Sequence, residues 1–105
     1  MSYTLPKISY CVVTYNEERR IKDCLVSIFS QDYPKNLLEV ILVDDRSTDR
    51  TVEIARRFPV KIVFSGKRHT DFSVMMGLRE AKGDFYHGIG ADMQFRGKNW
   101  FRKNL

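Results

Sequence analysis

The plainest chemistry in this chain belongs to two adjacent carboxylates. Asp44 and Asp45 stand in "ILVDDRSTDRT", positions 41 to 51, directly after a run of apolar residues. An ionised carboxylate only accepts hydrogen bonds, so one fixed at the tip of a buried strand can receive a ring N–H or a ribose hydroxyl of a nucleotide. Loops on a rigid scaffold are where binding residues concentrate, and this favours a binding role for the pair over a purely structural one. Other acids lie nearby in type and spacing: Glu17 and Glu18 in "TYNEE", Asp49 in "STD", and Asp92 in "GIGADMQF". Asp49 and Glu18 are read as helix caps or solubilising loop residues.

These groups can act together only if the chain brings the ends of several strands to one edge. Positions 8 to 14, "ISYCVVT", form a short β-rich apolar run after Pro6 and read as a buried strand. Ile21, Cys24, Leu25 and Ile28 follow at the i, i+3, i+4, i+7 spacing of an amphipathic helix ending near Ser30. Pro34 and Asn36 mark a loop, and Val40 to Val43 a second strand. Ser47, Thr48 or Asp49 can cap a helix carrying Val52, Ile54, Ala55 and Phe58, which Pro59 closes. Val60 to Phe64 reads as a third strand. Phe72 to Ala81 reads as a third helix with Met75, Met76 and Leu78 as core, and Phe85 to Ile89 as a fourth strand. The alternation predicts an α/β, Rossmann-like fold of right-handed βαβ units with a mostly parallel sheet covered by helices. Ligands of such sheets bind beyond the carboxyl ends of the strands, so the loops 15–18, 44–49 and 88–94 matter most.

Composition sets the bounds. The 105 residues fit one domain with one core, and 43% hydrophobic with 30% charged residues is a globular rather than a disordered mixture. A net charge of +5 suits an anionic partner, whether a nucleotide, a nucleic acid or an acidic membrane surface. Cys11 and Cys24 have no metal-ligand spacing and are expected as buried, reduced thiols of a cytosolic protein. Neither a signal peptide nor a membrane span is legible. His69 and His87 read as polar surface or as satisfied neighbours.

The order of motifs, "VVTYNEERRIKDCLVSIFSQDYP", "EVILVDDRSTDRTVEIARRF", and "GLREAKGDF" leading into "GIGADMQF", resembles the donor half of the family 2 inverting glycosyltransferases, which have the GT-A fold. The resemblance runs from about Ile8 to the end of the chain. It implies a site for a UDP- or GDP-linked sugar. In it Thr14, Tyr15 and Glu17 frame the base, with Tyr15 able to stack on a pyrimidine, and Asp44 and Asp45 contact base and ribose. The family's DxD aligns on Gly90-Ala91-Asp92, which implies Asp92 as a ligand for Mn²⁺ or Mg²⁺ against the donor diphosphate.

Three departures qualify what the resemblance implies. Gly90 replaces the first acid of the DxD and Met93 follows Asp92, so metal affinity should suffer. Val74 and Met75 stand where many members have an Arg-Asn pair, leaving Lys67, Arg68 or His69 as substitutes for the cation. Family members also continue into an acceptor half that carries the catalytic base, for which this chain has no convincing candidate. The expectation is therefore one nucleotide-sugar-binding domain over residues 1–105, truncated after the DxD-like motif, working in the cytoplasm or at the inner face of the membrane.

Other readings stand beside this one. A degenerate or truncated relative could keep the fold as a non-catalytic module for self-association or partner binding. A phosphoacceptor receiver domain needs an acceptor Asp after a later strand and a Lys beyond it, which Asp92 does not supply. The tail "RGKNWFRKNL" interleaves cations with Trp100 and Phe101, and it reads as an amphipathic helix packed on the domain rather than as a nucleic-acid stretch. If the acceptor half is missing, those aromatics are stranded for membrane contact or self-association, and an uncovered sheet edge gives a reason to pair.

Overall fold

The computed structural model describes residues 5–66 and 70–104. Four strands, β1 (Ile8–Thr14), β2 (Leu38–Asp44), β3 (Lys61–Phe64) and β4 (Phe85–Gly90), form one sheet in the order β3-β2-β1-β4. Every pairing is parallel, with Cys11 opposite both Ile41 and Gly88. The α/β alternation expected from the sequence is thus observed.

Side chains of β1 alternate between faces, and this splits the core in two. Tyr10 and Val12 meet Ile21, Leu25 and Ile28 of α1 (Ile21–Phe29), Ala55 of α2 (Thr51–Ala55) and Phe101 of α4 (Trp100–Lys103). Cys11, with Ile41 and Val43 of β2, packs instead toward Met76 of α3 (Thr70–Glu80) and Tyr86 of β4. Both cysteines are free and buried. Two crossovers through α1 and α2 carry the chain outward from β1 to β3. The crossover through α3 returns on the opposite face and sets β4 on the other side of β1. The direction in which strands are added to the sheet therefore reverses between β1 and β4.

Helix α3 comes very close to the sheet at Gly77. A Cβ there would lie 2.6 Å from Cys11 Sγ and 2.6 Å from Tyr86 Oη, so any larger residue forces one of these side chains to move. Ser73 and Gly77, one turn apart, are the buried residues of this helix. Because small residues take the sheet-facing side, the large apolar ones turn outward: Met75 is 62% and Leu78 53% exposed, whereas only Met76 packs against the core. The expectation that Met75 and Leu78 are core is corrected on this ground.

Helix α2 is also shorter than expected. Its regular part ends at Ala55, and Arg57 and Phe58 close tight turns onto Ile54 and Ala55 carbonyls. Pro59 disfavours helical geometry at the residue before it, which ends α2 early. Its N-cap is Arg50 with no side-chain cap, although Thr51 N still donates to Asp49 Oδ1 at 2.9 Å.

The tail packs on the domain. Phe101 is buried and stacks on Tyr10 at 5.3 Å, with Phe95 edge-on to both. Tyr10 Oη and His87 Nδ1 share a 2.5 Å hydrogen bond, and His87 stacks on Trp100. His87 is accordingly a satisfied neighbour. Among the described residues no helix is long and apolar enough to cross a membrane.

Candidate functional site

In an open parallel sheet the crevice lies where neighbouring strands are connected in opposite directions. Here that point is the carboxyl edge between β1 and β4. A cleft of about 310 Å³ opens there, with Val13 and Thr14 from β1 and Gly90 and Ala91 from β4 as its floor. The floor is tied: Ala91 N donates to Val13 O at 3.0 Å, and Asp45 N to Thr14 O at 2.9 Å. Tyr15, Glu17, Asp45, Thr70 and Asp92 line the sides.

The structure separates the two adjacent aspartates. Consecutive residues at a strand end point to opposite sides, so only one can face the cleft. Asp44 is fully buried and does not line it. Its Oδ2 accepts from Ser47 N at 2.8 Å and its Oδ1 from Ser47 Oγ at 2.6 Å. That arrangement closes a turn in which Arg46 adopts a left-handed φ of 61°. Asp45 lines the cleft and receives a 2.9 Å hydrogen bond on Oδ1 from Ser73 Oγ of α3. Among the described residues no hydrogen bond reaches Asp45 Oδ2.

The loop after β1 is laced to the loop after β2. Asn16, at φ 50°, donates its N–H to Ser47 Oγ at 2.9 Å and accepts Thr48 N–H on its side-chain oxygen at 2.8 Å. Glu17 N donates to Thr51 Oγ1 at 2.8 Å. Asp49 accepts from Thr51 on Oδ1 and from Glu18 N on Oδ2. Burial alone would push the Asp49 carboxyl up, but these donors hold it below the usual carboxylate range. Asp49 therefore organises the loops, whereas the expected N-cap role at α2 falls to Arg50, which makes no side-chain cap. Thr14 Oγ1 is buried beside the cleft and finds no hydrogen-bond partner among the described residues.

Of the residues singled out by the motifs, Thr14, Tyr15, Glu17, Asp45 and Asp92 come together at the cleft and Asp44 does not. Val74 packs toward the backbone of Gly88 and Met75 is exposed, so neither replaces the expected cation. Lys67, Arg68 and His69 lie outside the described residues, and none of the described residues lining the cleft is a cation. The motifs did not pick out Asn16, Ser47 or Ser73. Asn16 and Ser47 carry a recognisable signal, an Asn that tolerates left-handed geometry and a Ser three residues after a turn-forming Asp. Ser73, inside an otherwise apolar helical stretch, carries none.

The donor set for a divalent metal is small. Among the described residues no group of three or more His, Cys, Asp or Glu side chains could hold an ion. Asp92 is exposed and its Oδ1 lies 2.7 Å from where a Cβ on Gly90 would stand, so it occupies the space an acid at that position would need. One carboxylate suits Mn²⁺ or Mg²⁺ bound mainly by phosphate oxygens and water, and does not suit an all-protein cage.

A larger, more aromatic cavity of about 360 Å³ lies at the other end of the sheet, at Ile8 and Phe85, the first residues of β1 and β4. Trp100, Phe101 and Asn104 of the packed tail close it, and none of the acidic groups lines it.

Comparison with known proteins agrees with the fold and the motifs. A sequence model of the family described as Glycosyl transferase family 2 matches residues 9–104. A dolichyl N-acetyl-alpha-D-glucosaminyl phosphate 3-beta-D-2,3-diacetamido-2,3-dideoxy-beta-D-glucuronosyltransferase of Methanococcus voltae is 35% identical over 91 residues, covering 80% of this chain and 28% of the relative. The mannosyltransferase PcManGT of Pyrobaculum calidifontis, solved with GDP-Man and Mn²⁺, superposes with a TM-score of 0.84 at 31% identity over 90% of this chain and 30% of its own. Staphylococcus aureus TarS, solved with UDP-GlcNAc, gives 0.82 at 30% identity over 92% and 29%. The chain thus spans less than a third of the length of these relatives.

Proposed function

This chain belongs to glycosyl transferase family 2, and we propose that it forms the donor-nucleotide half of a glycosyltransferase that takes a UDP- or GDP-linked sugar. One observation carries the reading: Asp45 and Asp92, from different strand ends, converge on a cleft at the reversal point of a GT-A sheet. Support for the donor class comes from the two solved relatives, one holding GDP-Man with Mn²⁺ and the other UDP-GlcNAc.

In this reading Thr14, Tyr15 and Glu17 frame the nucleoside, and Asp45 accepts from its base or ribose. Asp44 serves indirectly, by holding the turn that presents Asp45. Asp92 would be the protein's ligand to Mn²⁺ or Mg²⁺, which when bound neutralises charge building on the leaving diphosphate. The acceptor and the base that deprotonates it would be met by residues beyond this domain. Exposed Arg96, Lys98, Arg102 and Lys103 on the tail would suit work against the anionic inner face of a membrane.

Backbone-amide NMR tests the location directly. Titration with UDP or GDP and Mg²⁺ is expected to shift the amides of Thr14, Tyr15, Asp45 and Ala91, and added Mn²⁺ to broaden signals around Asp92 most. Shifts centred on the Trp100 cavity, or none with either nucleotide, would overturn the reading.

A further inference from the structure

We propose that the outward face of α3 is the surface through which two copies of this chain pair, with the helices antiparallel about a two-fold axis at Met75. The inference stands on the surface of the helix and does not depend on the donor-site reading.

Ser73 and Gly77 turn toward the sheet, so the opposite side of α3 carries the residues that the core leaves out. At about 100° per residue, Met75 lies almost diametrically opposite them. Phe72 and Leu78 flank Met75 on either side at i−3 and i+3, and Asp71 and Arg79 at i−4 and i+4. Each of these residues is exposed, Met75 to 62%, Leu78 to 53% and Phe72 to 38%. The three apolar side chains leave on the order of 300 Å² in water, a size at which a contiguous patch is often functional. Phe72, Met75, Met76, Leu78 and Arg79 line an open groove of about 390 Å³ along this face.

Charge and size single out a second copy as the occupant. The order Asp71-Phe72, Met75, Leu78-Arg79 is its own complement about Met75. A two-fold axis there makes every contact occur twice. Phe72 meets Leu78 of the second copy, Asp71 meets Arg79, and Met75 meets its own image on the axis, where an unbranched thioether adapts readily. A parallel pair would instead set Asp71 against Asp71 and Arg79 against Arg79. Among the described residues neither Asp71 nor Arg79 takes part in an ion pair, so both charges are available to a partner. Two such faces with their charged rims bury about 1,000 Å² in total, at the lower end of specific interfaces, which suits a dimer of micromolar affinity. Thr70, in the first turn of α3, lines the cleft. Antiparallel pairing therefore sends the two clefts to opposite ends of the helix pair and leaves both open.

Sedimentation velocity of the purified chain from about 1 to about 500 μM tests the pairing, with circular dichroism melting to establish that each variant is folded. The unaltered chain is expected to pass from monomer to dimer with a Kd on the order of 10 to 100 μM. Met75→Glu sets two like charges on the axis and is expected to raise Kd by more than about tenfold. Asp71→Arg and Arg79→Asp are each expected to raise it about tenfold alone. Mixed one to one, or combined in a single chain, these charge reversals restore opposite charges at both ends, and Kd should return to within about threefold of the unaltered value. That recovery separates charge complementarity from damage to the helix. Phe85→Ser, at an apolar residue of β4 that is 56% exposed, is expected to leave Kd unchanged. A chain that stays monomeric through the whole range would overturn the proposal and leave the face to a lipid surface or to a different protein segment. A dimer indifferent to Met75→Glu, or lost in Phe85→Ser, would overturn it as well, as would charge variants that pair no better mixed than alone.

Discussion

Replacing Asp44 by alanine removes a carboxylate that accepts two hydrogen bonds from Ser47, at 2.8 and 2.6 Å, from a fully buried position. Hydrogen bonds to a charged acceptor contribute about 1.5–3 kcal/mol each, so the gross loss is about 3–6 kcal/mol. Two effects reduce it. Ser47 is only half-buried, so water can replace part of what its N–H and O–H lose, and removing an ion that makes no ion pair among the described residues relieves its desolvation. A net loss of about 2–3 kcal/mol follows, equivalent to a fall in melting midpoint of roughly 10–20 °C for a domain of this size. Asp44→Asn keeps the shape and one acceptor and is expected to lose about half as much. Urea unfolding followed by circular dichroism measures both. If Asp44→Ala unfolded within about 0.5 kcal/mol of the unaltered chain, while losing nucleotide affinity as completely as Asp45→Ala, the assignment of Asp44 to the turn would be wrong.

Further outcomes follow from single contacts. Gly77→Ala places a Cβ 2.6 Å from Cys11 Sγ and Tyr86 Oη, and urea unfolding should record a loss of about 1–3 kcal/mol despite the better helix propensity of alanine; Cys11→Ala in the same chain should restore part of it. Burial pushes the Cys24 thiol up to about 12, with the negative charges of Asp92 and Glu17 adding to the effect; native protein at neutral pH should therefore resist thiol reagents at Cys24, which reacts only on unfolding. Burial would raise the Glu39 carboxyl, but donors on Ser9 and Lys82 hold it below its ordinary value, so its contribution to stability is complete above that ordinary value and is lost as pH falls through the lowered one. Glu39→Gln should flatten the acid limb of the stability profile and leave the neutral limb parallel. Gly90→Asp should displace the Asp92 carboxylate and supply a second acid, raising the Mn²⁺ dependence of nucleotide binding by on the order of tenfold.

The order of strands and helices was readable because each buried strand is an apolar run and α1 repeats its apolar residues at helical spacing. Placement of a site at the carboxyl edge followed from that alternation. What adjacent residues do there was not readable. Asp44 and Asp45 have the same chemistry, and only the pleat at the end of β2 decides that one closes a turn and the other faces the cleft. Met75 and Leu78 misled for a related reason. Hydropathy assigns large apolar residues to the core, but α3 packs through Ser73 and Gly77, and close approach rather than hydropathy chose its buried side. Ser73 stayed hidden for want of any local pattern, since its partner lies 28 positions away.

On the proposed reading, the cleft between β1 and β4 binds a nucleoside diphosphate through Asp45 and a divalent cation through Asp92. Calorimetric titration with UDP and GDP, with and without Mn²⁺, on the unaltered chain and on Asp45→Ala and Asp92→Ala, tests it most directly. Expected is binding strengthened by Mn²⁺, with Asp45→Ala weakened whether or not the metal is present and Asp92→Ala losing only the strengthening by Mn²⁺. Absence of heat with either nucleotide, or binding indifferent to both substitutions, would contradict the account and leave a family 2 fold kept for a different purpose.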